Sequence, residues 1–422
     1  MPHPQQPTGF SICRYTRVPL LFIVLLAAVV AQAQVFEVLH TFTGEGDGAN
    51  PYAGLTLFQG KYYGTTSGSV FNLKNTGSGF ELNPLFNFNN PRNDGSDPFS
   101  NVTVGPDGAL YGTTAYGGGG NCSVGAGGCG LVFKLQPGAS ACRSVLCYWT
   151  ETVLYRFTGT ADGANPYSEV VFDSAGNLYG TAAYGGGGSC NGGLGCGVVY
   201  KLTPSSGGWT ESVIYSFTGG NDGAEPVGGL IFDQAGNLYG TGFAGGTGQG
   251  GVIFKLTLSN GGWTETAVHG FQAATDGSRP QSTLIADSSG NLYGVATLGG
   301  VNGGGTAFEW SPSGGGTYSV LYSFPFNSGP VGSPIFEVDG NLYGTTANGG
   351  ANQIGTIFQL HPTTDGWTET DIHTFGGLGD GANPYGNMAM DQNGRLYGTA
   401  LNGGGNLQIC ANGCGTIWEI TP

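Results

Sequence analysis

Of the side chains that could do chemistry in this 422-residue chain, the 27 acids dominate. Six precede a Gly in a recurring D-G segment: Asp47, Asp94, Asp162, Asp222, Asp276 and Asp380. Carboxylates gathered at one place could bind Ca²⁺ through oxygen, so these six form a candidate structural calcium set. Six more, Asp107, Asp173, Asp233, Asp287, Asp339 and Asp391, fall in a second recurring turn, and Glu151, Glu211, Glu265 and Glu369 share a W-T-E run. An acid required in every repeat is an acid the repeat itself needs, because Asp ahead of Gly can bond its own backbone and hold a turn. That leaves the departures from the repeat, Arg92, Glu225 and Arg279, as positions where function can be encoded. Tyr52, Tyr167 and Tyr385 follow three D-G-A-N-P segments, and Tyr116 and Tyr184 head the two longest Gly-rich loops. Tyr offers flat apolar area and a hydroxyl, which suits sugar or peptide recognition. No GxxxxGK[ST] loop, H-E-x-x-H helix or GxSxG elbow occurs, so no catalytic group and no cofactor site is assembled from motifs. His40, His269 and His373 take a strand slot that Tyr155, Tyr215 and Tyr322 fill elsewhere, which makes them sheet residues.

The elements that must position these residues repeat seven times. Tyr62-Tyr63-Gly64 and six Leu-Tyr-Gly tripeptides ending at Gly112, Gly180, Gly240, Gly294, Gly344 and Gly398 anchor units of 48 to 68 residues. Each unit holds a short apolar run, a D-x-x-G-N turn, the Leu-Tyr-Gly-Thr run and two alternating runs joined by a polar hairpin. Four short antiparallel strands repeated seven times predict a single all-β domain, a seven-bladed β-propeller. The segment at 35–44 matches the fourth run and the chain's last run matches the third. The ring is therefore expected to close through the N-terminal strand, leaving no open sheet edge. The 84 Gly residues fit the same picture. A chain so rich in Gly is poor material for helices, and without a Gly at every third residue it is not collagen.

Residues 1–33 carry Arg14 and Arg17, an apolar run from Val18 and Ala31-Gln32-Ala33, the pattern of a cleaved secretory signal peptide. The mature chain, residues 34–422, then has ten basic side chains against 27 acids. Such a surface repels nucleic acid and anionic membranes, and the mature part has no apolar span. It reads as a monomer, secreted or periplasmic. Its eight Cys fall in close pairs, which predict four loop-stapling disulfides: Cys122 with Cys129, Cys142 with Cys147, Cys190 with Cys196 and Cys410 with Cys414.

At these residues the chain resembles the GloVer-repeat proteins, exported bacterial proteins. Leu342 to Gly350, Gly355 to Leu360, Tyr215 to Gly223 and the Asp233 to Asn237 turn carry the resemblance. It implies a propeller-like exported protein, with no activity or catalytic residue to transfer. The reading that follows is a non-catalytic propeller binding a glycan or protein ligand at its loop-rich face. The alternatives are a glycosidase or lyase using carboxylates such as Glu169 or Glu225 at the channel mouth, and a structural envelope or matrix component.

Overall fold

The computed structural model describes residues 34–119, 122, 127–138, 148–260, 262–337 and 339–422. The signal-peptide segment lies outside the described residues, and so do Cys142 and Cys147. Seven antiparallel sheets follow one another along the chain, at 56–87, 103–156, 171–216, 231–272, 278–323, 330–374 and 389–421. We number them blades 1 to 7. Strands are hydrogen-bonded in chain order within each blade, except that in blade 5 both Ser278–Pro280 and Ile285–Ala286 pair with Leu292–Leu298. Blade 7 takes its fourth strand from Val35–Thr41, which pairs antiparallel with Thr416–Thr421 from Val35 opposite Thr421 to Thr41 opposite Thr416, with a bulge after Val38. The sheet edge is thus filled from the other end of the chain.

The Leu-Tyr-Gly-Thr run forms the second strand of nearly every blade, and each letter has a physical reason. Leu110, Leu178, Leu238, Leu292, Leu342 and Leu396 are buried between blades. The Gly lies opposite an aromatic residue of the third strand: Gly64 pairs with Phe71, Gly112 with Phe133, Gly180 with Tyr200, Gly240 with Phe254, Gly294 with Phe308, Gly344 with Phe358 and Gly398 with Trp418. In all seven, a Cβ on that Gly would overlap the ring, so the aromatic side chain lies flat across the space a side chain would fill. In five blades the Thr hydroxyl then ties the blade to the next, while blade 5 has Val295 there and Thr345 of blade 6 bonds Val331 of its own blade. Thr65 donates to the Ser100 carbonyl at 3.2 Å, Thr113 to Ser168 at 2.9 Å, Thr181 to Gly228 at 3.1 Å, Thr241 to Ser282 at 3.2 Å and Thr399 to Ala53 at 2.8 Å.

The turn between first and second strands is held by the second Asp set. Asp173 accepts the Ala175 and Asn177 amide N–H groups at 2.9 and 2.8 Å, the Asn177 side-chain amide at 2.7 Å and the Tyr179 hydroxyl at 3.1 Å. These bonds hold its carboxyl, like those of Asp107, Asp233 and Asp287, below the usual range against the opposing effect of burial. Blades 2 and 6 differ: in blade 2 Gly105 stands where Asp173 does and Asp107 two residues later, accepting the Ala109 N–H at 3.1 Å and the Tyr111 hydroxyl at 3.0 Å. In blade 6 the acceptor is Glu337, which takes the Asn341 side chain at 3.0 Å and the Tyr343 hydroxyl at 2.8 Å. Asp339 stands two residues later, where blades 3 and 4 have Ala175 and Ala235 and blade 2 has Asp107, and the longer Glu reaches the same kinds of donor.

The W-T-E run forms the start of the fourth strand and packs across blades. Trp149, Trp209 and Trp263 lie 6.1 to 6.4 Å from Tyr63, Tyr111 and Tyr179 of the preceding blade. The glutamates two residues on are drawn into the same seams. Glu151, Glu211 and Glu265 each bury one carboxylate oxygen with no hydrogen-bond partner in the protein. Desolvation first, then neighbouring carboxylates, pushes Glu151 up to about 8 and Glu211, Glu265 and Glu369 up to about 7.

Candidate functional site

The chain enters six of the seven blades through a D-G-x-x-P segment, blade 6 having Asn327-Ser328-Gly329-Pro330 instead, and in five of the six the Asp is the buckle of the loop. Asp162 accepts the Thr158 N–H at 2.8 Å, the Thr158 hydroxyl at 2.6 Å and the Tyr155 hydroxyl at 3.0 Å. Asp222 does the same with Thr218 and Tyr215. In three loops the outer-strand partner, always seven residues earlier, is histidine: His40 with Asp47 at 3.1 Å, His269 with Asp276 at 2.8 Å and His373 with Asp380 at 3.1 Å. Burial, working against the adjacent carboxylate, lowers the pKa of His269 and His373. Asp94 departs, ending a short helix, Pro91–Asp94. The six candidate calcium ligands therefore sit in separate loops, and none of them lines the central cavity described below. Among the described residues no group of three or more His, Cys, Asp or Glu is placed to share a metal ion.

The residue before the Pro is left-handed in all seven entries: Asn50, Asp97, Asn165, Glu225, Arg279, Gly329 and Asn383 have φ between 52° and 59°. Asn and Gly tolerate that region best, and long side chains are uncommon there. Where Asn stands it does a second task. Asn50, Asn165 and Asn383 donate their side-chain amides to the Leu401, Ala115 and Ala347 carbonyls at 2.8 to 3.0 Å. Glu225 and Arg279 accept the same backbone strain, but Glu225 has no donor for that bond and Arg279 places its guanidinium over the Phe243 ring.

The residue after the Pro is where the seven blades meet. Tyr52, Phe99, Tyr167, Val227, Gln281, Val331 and Tyr385 all line one open cup of about 330 Å³ on the axis of the ring. Four consecutive blades supply aromatics that pack into an arc. Tyr385 stacks on Tyr52 with centroids 5.1 Å apart, Tyr52 meets Phe99 at 4.9 Å, and Phe99 stacks on Tyr167 at 6.2 Å. Tyr116 backs the arc, its hydroxyl 3.0 Å from that of Tyr167. Burial, with the neighbouring tyrosines adding, pushes the Tyr52 hydroxyl up to about 12 and raises Tyr167 as well, so both remain protonated hydrogen-bonding groups. Tyr184 and Phe243 complete the wall.

A belt of polar contacts runs below the arc. Asn101 accepts the Gly54 N–H at 2.8 Å, and Asn387 accepts the Ser333 N–H at 2.6 Å. Glu169 of blade 3 accepts the Thr283 hydroxyl of blade 5 at 2.5 Å, reaching past Gly229 of the intervening blade. Thr283 in turn accepts the Gly229 N–H at 2.9 Å. A side chain on Gly229 would overlap both oxygens, so Gly keeps this link open. Glu169 and Glu225 are the charged side chains among the cup's lining residues. A second lobe of about 370 Å³ shares Tyr52, Phe243, Gln281, Val331 and Tyr385 with the cup and adds Arg279, whose guanidinium lies 5.4 Å from the Phe243 ring centroid.

Of the residues expected from sequence to bind ligand, Tyr52, Tyr167, Tyr184 and Tyr385 line the cup, Tyr116 supports it, and Arg279 borders the adjoining lobe. Arg92 is exposed on the short helix and lies outside both cavities. Phe99, Val227, Gln281, Val331 and Phe243 were not singled out in the sequence. Aligning the seven entries on their Pro would have found the first four.

Cys122–Cys129, Cys190–Cys196 and Cys410–Cys414 are disulfides that pack on Gly159, Gly219 and Gly44 of the next entry loop. The expectation of four disulfides is thereby met for the three pairs that lie among the described residues. Cys142 and Cys147, expected to bond to each other, lie outside the described residues.

The likeness to solved structures is one of fold. The extracellular domain of a proposed one-component system from B. thetaiotaomicron superposes with a TM-score of 0.55 at 12% identity, over 92% of this chain and 40% of that one. A fungal alcohol oxidase of the AA5 family, in complex with copper, gives 0.52 at 14% identity over 93% and 77%. A proposed 6-phosphogluconolactonase from Bacteroides uniformis gives 0.50 at 14% identity over 87% and 90%. No curated protein matches in sequence. The Gloeobacter/Verrucomicrobia repeat matches residues 26–194, 123–264 and 189–418, nearly the whole chain, and the protein belongs to that repeat family.

Proposed function

We propose that this protein is an exported, non-catalytic propeller that binds a glycan or protein ligand in the axial cup of its loop-rich face. One observation carries the reading: seven equivalent entry positions converge on a single cavity, and four adjacent blades fill theirs with aromatics while the blade frame needs none there. Edges and hydroxyls of packed tyrosines suit a polar ligand with flat apolar faces. Three disulfides in the described loops suit an oxidising compartment, and no helix of the described residues is long and apolar enough to cross a membrane. Glycan and peptide arrays, followed by calorimetry with Tyr52→Ala and Tyr385→Ala, test the reading. Loss of binding in both variants is expected, and unchanged affinity would move the site elsewhere.

A second reading, a glycosidase or lyase, is favoured by the presence of both Glu169 and Glu225 at the same cup. It requires turnover of a polysaccharide that disappears in Glu169→Gln and Glu225→Gln. Binding without turnover would decide for the first reading.

A further inference from the structure

This inference rests on the cup being the ligand site and concerns what that site selects. The walls carry six aromatic residues, Tyr52, Phe99, Tyr167, Tyr184, Phe243 and Tyr385, and the lining charges are two carboxylates, Glu169 and Glu225. Glu169 is oriented by the Thr283 hydroxyl on one oxygen. Glu225 stands at a left-handed position, φ 52°, which three other blades give to Asn and one to Gly. Arg279 is the nearby cation, and it lies over Phe243 in the adjoining lobe, whose lining includes neither Glu169 nor Glu225. Aromatic faces and carboxylates both attract cations, and both disfavour an anion brought out of water. The formal charge of −15 acts in the same direction at longer range.

We infer that the cup takes an organic ammonium group, the free amine of an amino sugar or of a lysine side chain, at the end lined by Glu169 and Glu225. The amine would be held by charge-assisted hydrogen bonds to these carboxylates, with the carbon skeleton against the aromatic arc.

Calorimetry on the mature chain with four probes tests this: a glucosamine tetramer, the N-acetylglucosamine tetramer, a lysine-containing pentapeptide and its acetyl-lysine form. Within one pair the free amine is expected to bind about tenfold tighter than its acetylated form, and more weakly as salt is added. The pair that responds identifies the source of the amine. Glu169→Gln and Glu225→Asn are each expected to erase that preference. Glu225→Asn restores the residue of the other blades, so it guards against a variant that merely fails to fold. Equal affinity for amine and acetylated forms, lost in Tyr52→Ala, would overturn the ammonium inference and leave the cup standing. An absence of binding by all four probes at millimolar concentration would overturn both.

Discussion

Blades 7, 1, 2 and 3 place Tyr385, Tyr52, Phe99 and Tyr167 at the cup, whereas blades 4, 5 and 6 place Val227, Gln281 and Val331 at the same positions. The halves differ in their loops as well. The described disulfides lie in blades 2, 3 and 7, and blades 4 to 6 contain no Cys. The second half instead carries Glu225 and Arg279 at strained entry positions and Phe243 where blades 2 and 3 have Ala115 and Ala183. Beneath these differences the frame is one: the Gly-on-aromatic pairing is present in all seven blades, and the Thr bridge spans blades of both halves. A repeat can thus keep its packing residues fixed and let one rim diverge, because rim side chains bear little of the load between sheets.

That division can be attacked directly. Tyr200→Ala in blade 3 and Phe254→Ala in blade 4 remove equivalent rings with 0% exposure, and each is expected to cost about 3–5 kcal/mol in denaturant unfolding. A much smaller cost in one half would mean that the frame is not shared. Reducing the disulfides should cost about 2 kcal/mol per loop. By hydrogen exchange the loosening should centre on the loops closed by Cys129, Cys196 and Cys414 and spare blades 4 to 6. Glu225→Asn should stabilise by about 1 kcal/mol through relief of the left-handed Glu, while weakening ligand binding. A stability gain without a binding loss would make Glu225 incidental.

The smallest effect is on pH. Folded Glu211, Glu265 and Glu369 titrate at about 7 and Glu151 at about 8, above the 4.5 of a free Glu, so the folded state binds more protons. Stability from these seams is therefore fullest below about pH 4.5 and falls as pH rises through 7 to 8. A melting temperature lower by roughly a few degrees at pH 8 than at pH 5.5 is expected, flattened by Glu211→Gln with Glu265→Gln. Because such seams occur in both halves, a pH effect confined to one of them would again separate the frames.

Blades, closure strand and three of the disulfide pairs were legible in the sequence because each is written by recurrence or close spacing. The fourth pair, Cys142 with Cys147, has the same close spacing but lies outside the described residues. The structural role of Asp173 and its equivalents was legible for the same reason as the blades. Asp107 and Asp339 lie in that turn but two residues on from the place of Asp173, an offset visible in their distance from Leu110 and Leu342, and in blade 6 Glu337 takes the Asn and Tyr donors. The cup was half legible: tyrosines stand out by type, but Val227 and Gln281 are recognised only as occupants of a position. Function at that rim is encoded by variation between repeats, which a search for shared motifs passes over.

The pairing of Val35–Thr41 with Thr416–Thr421 also sets an order of events. Val35–Thr41 is synthesised long before Thr416–Thr421, so it stays without its partner strand until the strands of all seven blades have been made. Closing that contact spans almost the whole chain, the slowest kind of step in folding. A circular permutant cut between two blades, with the present termini joined, would turn this last seam into an early local hairpin. Its refolding rate, compared with that of the parent chain, reads out how much of the folding time is spent waiting for the ring to shut.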